Sequence, residues 1–213
     1  MSINGSYICE TRGLFINQRE MKVNEVSGTH STSNTNDDVT ELVIVKSSMS
    51  YWSNDIFKSF PALQTLRIHK VQLKQLSKGD FDSAFNLTVL VVNGNDIDTL
   101  DDDVFHGAEE ELTHIDLNSN KLEKLSSGTF HGLKQLKFLS MKDNLITELQ
   151  MDTFKDVTML ETLILTGNKI KTLHGKMLEF NTGLMTMAVD HNELREVGED
   201  ILDYSLMLKD VNS

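Results

Sequence analysis

The chain has 213 residues, of which 39% are hydrophobic and 7% aromatic, and its formal net charge is -12. This acidic balance argues against duplex nucleic acid, because phosphate binding needs clustered lysine and arginine, and we expect no nucleic-acid partner. No run of about 18 apolar residues is present, so the sequence predicts no membrane span.

Residues 1–26 are the first predicted segment, a cap of strand or hairpin type without a repeat register. Its start, MSINGSYICETRGLF, lacks the charged end and continuous apolar core of a signal peptide. The single cysteine, Cys9, either pairs with a partner outside this chain or is a free thiol. Residues 27–38 are polar and low in complexity, which predicts a loop.

Residues 39–213 carry one apolar pattern that recurs every 24 or 25 residues. In the stretch LTHIDLNSNKLEKL, apolar residues are spaced by three, two, five and three positions, which fits neither a helix nor a strand. We call each repeat a coil and number its positions as slots from its first residue. The coils begin at Val39, Leu63, Leu87, Leu112, Leu136, Leu160 and Leu184, with a partial coil at Leu208.

The slots predict the shape of a coil. Slots three to eight suit a short strand, because the fourth and sixth are apolar and would point inward while the third, fifth and seventh point outward. The nineteenth slot is phenylalanine in the first five coils.

The ninth slot is asparagine from the third coil onward, and its amide can satisfy backbone groups where the chain turns back. These predicted ladder residues are Asn95, Asn120, Asn144, Asn168 and Asn192. The first two coils have Ser47 and Val71 instead, so we expect either less regular N-terminal coils or a ladder that begins only at Asn95.

The pattern LxxLxLxxNxLxxLxxxxFxxLxx resembles the leucine-rich repeat family, and the 24-residue unit with a late phenylalanine resembles its typical extracellular subclass. The resemblance implies an α/β repeat solenoid, a horseshoe of about seven coils with a parallel sheet on its concave face. Because one coil cannot bury its own apolar face, the coils would stack around a continuous core. It also implies a secreted or extracellular protein, with the signal peptide outside this chain.

Two sequons accord with secretion and are candidate glycosylation sites. One begins at Asn4, and the other begins at Asn86 on the turn that enters the third coil. At the other end, the coil that begins at Leu208 has no polar closing element. We therefore expect that the native protein continues or that another chain covers this coil, with self-association as one form of cover.

Outward slots of the middle coils predict a ligand-binding patch. Neighbouring strands lie about 4.8 Å apart, so these slots would be contiguous on the concave face. An outward phenylalanine flanked by valine and isoleucine is typical of a protein-binding hot spot, and the alternative is a flat sheet with harmless apolar side chains. The predicted patch consists of Val89, Val91, His114, Asp116, Phe138, Ser140 and Ile164.

Other polar clusters predict little chemistry. The acidic stretch NDIDTLDDD lacks the spacing of a calcium loop and suits a solvated flank or a docking site for a basic partner. His106 and His131 share one slot of neighbouring coils, which leaves a pH-sensitive flank and ordinary surface histidines as alternatives. Without a catalytic constellation or a glycine-rich phosphate loop, we expect neither enzyme activity nor a cofactor or metal.

The segment VTELVIVKSSMSYWSNDIFKSFPALQTLRIHKVQLKQL is similar in register to the first coils of secreted insect, mosquito-like, leucine-rich immune proteins. This resemblance implies an extracellular recognition module of innate immunity, which binds a protein ligand or partner receptor on the concave face. Two alternatives remain open. One is an ectodomain fragment of a Toll-like or adhesion membrane receptor, and the other is a structural or inhibitory repeat scaffold.

Overall fold

The computed structural model describes residues 2–3, 6–17, 35–201 and 210–212. Among these residues the helical elements are short: α1 (Asp55–Ser59) and two 3-10 helices (Asn36–Asp38 and Gly175–Leu178). The strands in chain order are β1 (Ser2–Ile3), β2 (Ser6–Arg12), β3 (Phe15–Ile16), β4 (Glu41–Val45), β5 (Ser48–Met49), β6 (Thr65–His69), β7 (Gln75–Leu76), β8 (Val89–Asn93), β9 (Thr99–Leu100), β10 (His114–Asp116), β11 (Phe138–Ser140), β12 (Thr162–Ile164), β13 (Thr172–Leu173), β14 (Thr186–Ala188), β15 (Glu196–Val197) and β16 (Asp210–Asn212).

One long sheet takes a strand from each successive coil. Its order is β1-β2-β4-β6-β8-β10-β11-β12-β14-β16, and every pairing from β2 onward is parallel. Equivalent slots face each other across the strands, so that His114 pairs with Val89 on one side and with Phe138 on the other. The predicted α/β repeat solenoid of about seven coils with a parallel sheet is therefore confirmed.

The core follows the repeat. Fourth- and sixth-slot side chains, from Leu42 and Ile44 in the first coil to Met187 and Val189 in the seventh, are at most 3% exposed. The nineteenth-slot rings form a continuous spine in which successive centroids lie 5.8 to 6.2 Å apart. These spine residues are Phe57, Phe81, Phe105, Phe130 and Phe154. Burying one such side chain contributes roughly 1.5 to 3 kcal/mol, so stacking the coils stabilises each of them.

The ninth-slot asparagines bridge successive coils. Asn144 Oδ1 accepts a hydrogen bond from the Leu122 amide at 3.1 Å, and its Nδ2 donates to the Leu117 and Met141 carbonyls, each at 3.0 Å. Equivalent bonds are made by Asn95, Asn120, Asn168 and Asn192. Each amide thereby satisfies backbone groups of its own coil and of the coil before.

In the first two coils the ninth slot holds serine and valine instead of asparagine. Ser47 supplies part of the pattern, because its Oγ accepts a hydrogen bond from the Leu14 amide at 3.1 Å and donates to the Val45 carbonyl at 3.0 Å. Val71 is fully buried and offers no side-chain hydrogen bond. The amide bonds therefore start with Asn95.

The N-terminal segment has a repeat register that the sequence analysis did not find. β1 pairs with β2 in antiparallel orientation, and β2 runs parallel to β4 with Cys9 opposite Leu42 in the fourth-slot row. These partners are 33 positions apart in the sequence instead of 24, which is why the repeat is not evident from spacing. The domain limits 1–26, 27–38 and 39–213 stay a prediction, because most of the polar loop, Asn4 and the start of the partial coil at Leu208 lie outside the described residues.

Candidate protein-binding surface

The predicted patch lies on four adjacent strands, β8, β10, β11 and β12. Their parallel pairing places Val89, His114 and Phe138 next to one another in the third-slot row. The fifth-slot row next to it is Val91, Asp116, Ser140 and Ile164. The structure thus brings all seven predicted residues onto one continuous part of the concave face.

A stacked pair of rings forms the centre of this patch. The rings of His114 and Phe138 lie 4.1 Å apart between centroids and are 3° from parallel, and both side chains are partly exposed. Burial lowers the pKa of His114, an effect that nearby Asp116 opposes and Arg67 reinforces. The lowered pKa favours the neutral imidazole, in which the pair consists of two parallel aromatic rings. The pair forms a flat aromatic platform.

Two members of the predicted patch are covered, which corrects the expectation that all seven are exposed. Val91 is 5% exposed and lies between the longer side chains of Arg67 and Asp116 on the neighbouring strands. Ser140 is 1% exposed, and its Oγ donates a hydrogen bond to Asn118 Oδ1 at 2.6 Å. The partly exposed members that remain for ligand contact are Val89, His114, Asp116, Phe138 and Ile164.

A hydrogen-bonded polar rim borders the platform. The Asp116 carboxylate accepts bonds from Asn93 Nδ2 and from the Asn118 backbone amide, each at 3.0 Å. Arg67 Nε forms an ion pair with Glu41 at 2.8 Å. Asp116 was a predicted member of the patch, whereas Asn93, Asn118, Arg67 and Glu41 were not, although their outward seventh, fifth and third slots were a usable signal. Fixed rim groups need little reordering when a ligand binds.

The histidine flank is organised by carboxylates from the preceding coils. His106 Nδ1 lies 3.0 Å from Asp82, and His131 Nδ1 lies 2.8 Å from Asp103. The hydrogen bond to Asp82 and the charge of Glu109 raise the pKa of His106. The two imidazoles and two of these carboxylates, Asp103 and Glu109, line one open cavity of about 200 Å³.

Carboxylates of the acidic stretch also form ion pairs with lysines of the neighbouring coils. Lys78 lies 2.8 Å from Asp103, and Lys121 lies 2.7 Å from Asp96. The hydrogen bond from Lys78, followed by that from His131, holds the pKa of the Asp103 carboxyl below its ordinary value. Part of the predicted solvated flank is therefore a set of ion pairs between coils.

The residues that the structure describes contain neither a metal-binding cluster nor a helix that could span a membrane. Within them, no three or more histidine, cysteine, aspartate or glutamate side chains are grouped so as to hold a metal ion. None of the helices in the same part of the chain combines the length and apolar character that crossing a bilayer requires.

Several solved structures of other proteins share this architecture. The fold is similar to the LRIM1/APL1C complex structure, with 24% identity, a TM-score of 0.75, and coverage of 89% of this chain and 34% of that chain. The APL1 leucine-rich repeat domain gives 25% identity and a TM-score of 0.73 over 87% and 47% of the two chains. The TLR13-ssRNA13 complex structure has 23% identity and a TM-score of 0.75, and the match covers 83% of this chain and 26% of that chain.

This chain therefore spans less than half the length of each of these structures. No curated protein matches it in sequence. The neighbours confirm the predicted resemblance to insect immune leucine-rich proteins as a likeness of fold. The family model for the leucine rich repeat matches residues 85–146 and 139–194, which together exceed half of the sequence. The chain belongs to the leucine-rich repeat family, a family of protein-interaction scaffolds.

Proposed function

We propose that this chain is an extracellular recognition module that binds a protein ligand on its concave face. The stacked pair of His114 and Phe138 carries the proposal, because two partly exposed rings at 4.1 Å form an aromatic anchor site that the core does not require. Aromatic side chains in a partly desolvated setting with a polar rim are the usual composition of an interaction hot spot.

The charges around the platform favour a protein over a nucleic acid. The chain carries a net charge of -12, and Arg67, whose charge acts on His114, is already paired with Glu41. A nucleic acid would need several unpaired cations on this face. The TLR13 structure holds a single-stranded RNA, but the acidic balance of this chain argues for a different ligand.

A role in innate immunity is the finer part of the proposal. It is supported by the similarity of the first coils to secreted insect immune proteins and by the fold shared with LRIM1/APL1C and APL1. The Toll-like neighbour favours the alternative of a receptor ectodomain. Sequencing the complete transcript separates these alternatives: a membrane-spanning segment supports the receptor, whereas a cysteine-rich cap followed by a coiled coil supports the secreted protein.

The ligand surface is testable by photo-crosslinking. A photoreactive amino acid replaces Ile164 next to the platform or, as a control, Met151, which is 55% exposed away from the strands. Each chain is incubated with proteins secreted by the cells that express it. We expect a discrete crosslinked product from position 164, none from position 151, and loss of the product when Phe138→Asp is added.

The same experiment can overturn the proposal. Equal crosslinking from both positions, or a product from position 164 that Phe138→Asp leaves unchanged, would show that the platform does not bind the ligand. The urea midpoint of the Phe138→Asp chain is measured alongside, because a retained midpoint separates lost binding from lost folding.

A further inference from the structure

The turn that leads into β8 combines a sequon with an unusual hydrophobic side chain. Phe85 is 68% exposed, the largest exposure of any bulky hydrophobic residue that the structure describes, and it directly precedes Asn86, which is also exposed. At the junctions between the first and the seventh coil, the position two residues before the new coil is otherwise proline or polar. Its occupants at the other junctions are Pro61, Glu110, Lys134, Thr158 and Thr182.

The internal repeat thus shows that the fold does not require a phenylalanine at this position. Five equivalent junctions fold without one, and the exposed ring contributes little to the core. The exception occurs where the sequon Asn86-Leu87-Thr88 stands.

The sequon lies on a turn whose side chains form hydrogen bonds with the backbone of earlier residues. Asn86 Nδ2 donates a hydrogen bond to the Pro61 carbonyl at 2.9 Å. Leu87 is fully buried, and the Thr88 hydroxyl donates to the Gln64 carbonyl at 3.0 Å. A side-chain amide has two N–H groups, and a glycosidic bond replaces only one of them. The other can keep the bond to Pro61, so the turn can carry a glycan in a fixed direction.

We propose that Asn86 carries an N-linked glycan whose first sugar packs on the ring of Phe85. The C–H groups on one face of a sugar are weakly positive, and the face of a phenyl ring is weakly negative. Such packing would cover the exposed ring, and the remaining sugars would extend into water. This inference rests on the proposed extracellular function, because the modification takes place in the secretory pathway.

The transfer is an ordinary substitution at the sugar. The donor is an oligosaccharide linked through a pyrophosphate to a lipid. A bond forms between Asn86 Nδ2 and C1 of the first sugar while the C1–O bond to the pyrophosphate breaks. The pyrophosphate leaves with the electron pair, and one Nδ2 proton is released.

The test uses the full chain secreted from glycosylating cells behind an added signal peptide. Peptide mass spectrometry measures the occupancy of Asn86, with Asn86→Gln as the negative control and Thr88→Ser as a variant that keeps the sequon. The melting temperature is then measured for three forms: the chain with the intact glycan, the chain with the first sugar alone after endoglycosidase treatment, and an unglycosylated chain in which Asn86 keeps its amide because the cells were treated with an inhibitor of N-glycosylation. The same series is repeated with Phe85→Thr, which installs the residue found at two other junctions.

We expect occupied Asn86, an unchanged Tm when only the first sugar remains, and a fall of about 2 °C in the chain whose Asn86 was never glycosylated. The fall should be absent in Phe85→Thr. An unmodified Asn86 on secreted, folded protein would overturn the inference, and an equal fall in both backgrounds would exclude packing on the ring. Crosslinking from position 164 is measured on the same secreted protein. An unmodified Asn86 with intact crosslinking refutes only the glycan. A glycosylated Asn86 with no specific crosslinking refutes only the ligand surface.

Discussion

Two phenylalanines eight residues apart provide a direct test of the coil register. Phe130 is 1% exposed, and its ring centroid lies 6.2 Å and 6.1 Å from those of Phe105 and Phe154. Phe138 points to the concave face and is partly exposed. Replacing either with alanine removes the same atoms, so the difference in cost reports how much packing each ring makes. We expect a loss of about 3 to 5 kcal/mol for Phe130→Ala and about 1 kcal/mol for Phe138→Ala.

Urea unfolding measures this difference. With a slope of about 2 kcal/mol per molar, Phe130→Ala should lower the midpoint by about 2 M and Phe138→Ala by about 0.5 M, with the slope unchanged. Because each coil of a solenoid is stabilised by its neighbours, Phe130→Ala should also destabilise the adjacent coils. Equal and large losses for both substitutions would refute the assignment of one ring to the spine and the other to the concave face.

Three further outcomes follow from individual contacts. Asn144→Ala leaves buried backbone groups of two coils without partners and should cost about 3 kcal/mol in urea unfolding; a loss below about 1 kcal/mol would contradict the bridging role. Gly107→Ala should destabilise the chain by about 1 to 3 kcal/mol more than Gly79→Ala, because both glycines have φ of +94° but only at Gly107 would a Cβ clash with a backbone oxygen, that of Phe81. Because the hydrogen bond to Asp82 raises the pKa of His106 above 6.5, its contribution to stability is fully present below pH 6.5 and is lost as the pH rises through the raised pKa. Asp82→Asn should lower the His106 pKa in an NMR titration, and an unchanged pKa would show that the contact is absent in solution.

The sequence predicted the repeat-based part of the fold because the leucine pattern constrains it strongly. A shift of one residue would turn Leu139 outward and Phe138 inward, so the alternation sets both the start of each strand and its register. The ninth-slot amides were predictable for a similar reason, since a turn that leaves backbone groups unpaired needs a donor and an acceptor at one place. The register of β2 was not predictable, because the long insertion before β4 removes the 24-residue spacing that identifies a coil.

The candidate site was predictable in position but only partly in exposure. An outward slot fixes the direction of a side chain, whereas its exposure depends on the lengths of the neighbours in the adjacent coils. Val91 is covered because Arg67 and Asp116 lie on either side of it, and Ser140 is covered because its hydroxyl is bound to Asn118. The exposure of a side chain on the concave face therefore depends on its own coil and on the two coils beside it.

The same dependence on neighbours explains why the platform lies in the middle of the sheet. Stacking of His114 on Phe138 needs two aromatic rings in one slot of consecutive coils, and the third-slot residues on either side, Val89 and Thr162, are too small to cover them. The bonded rim around Asp116 keeps the adjacent polar groups in place. A ligand that inserts an apolar side chain here would bury the free parts of both rings and would need little rearrangement of the rim. Because Ile115 and Leu139 beneath the pair are already fully buried, the core does not require the two exposed rings, which supports the ligand-binding surface that we propose.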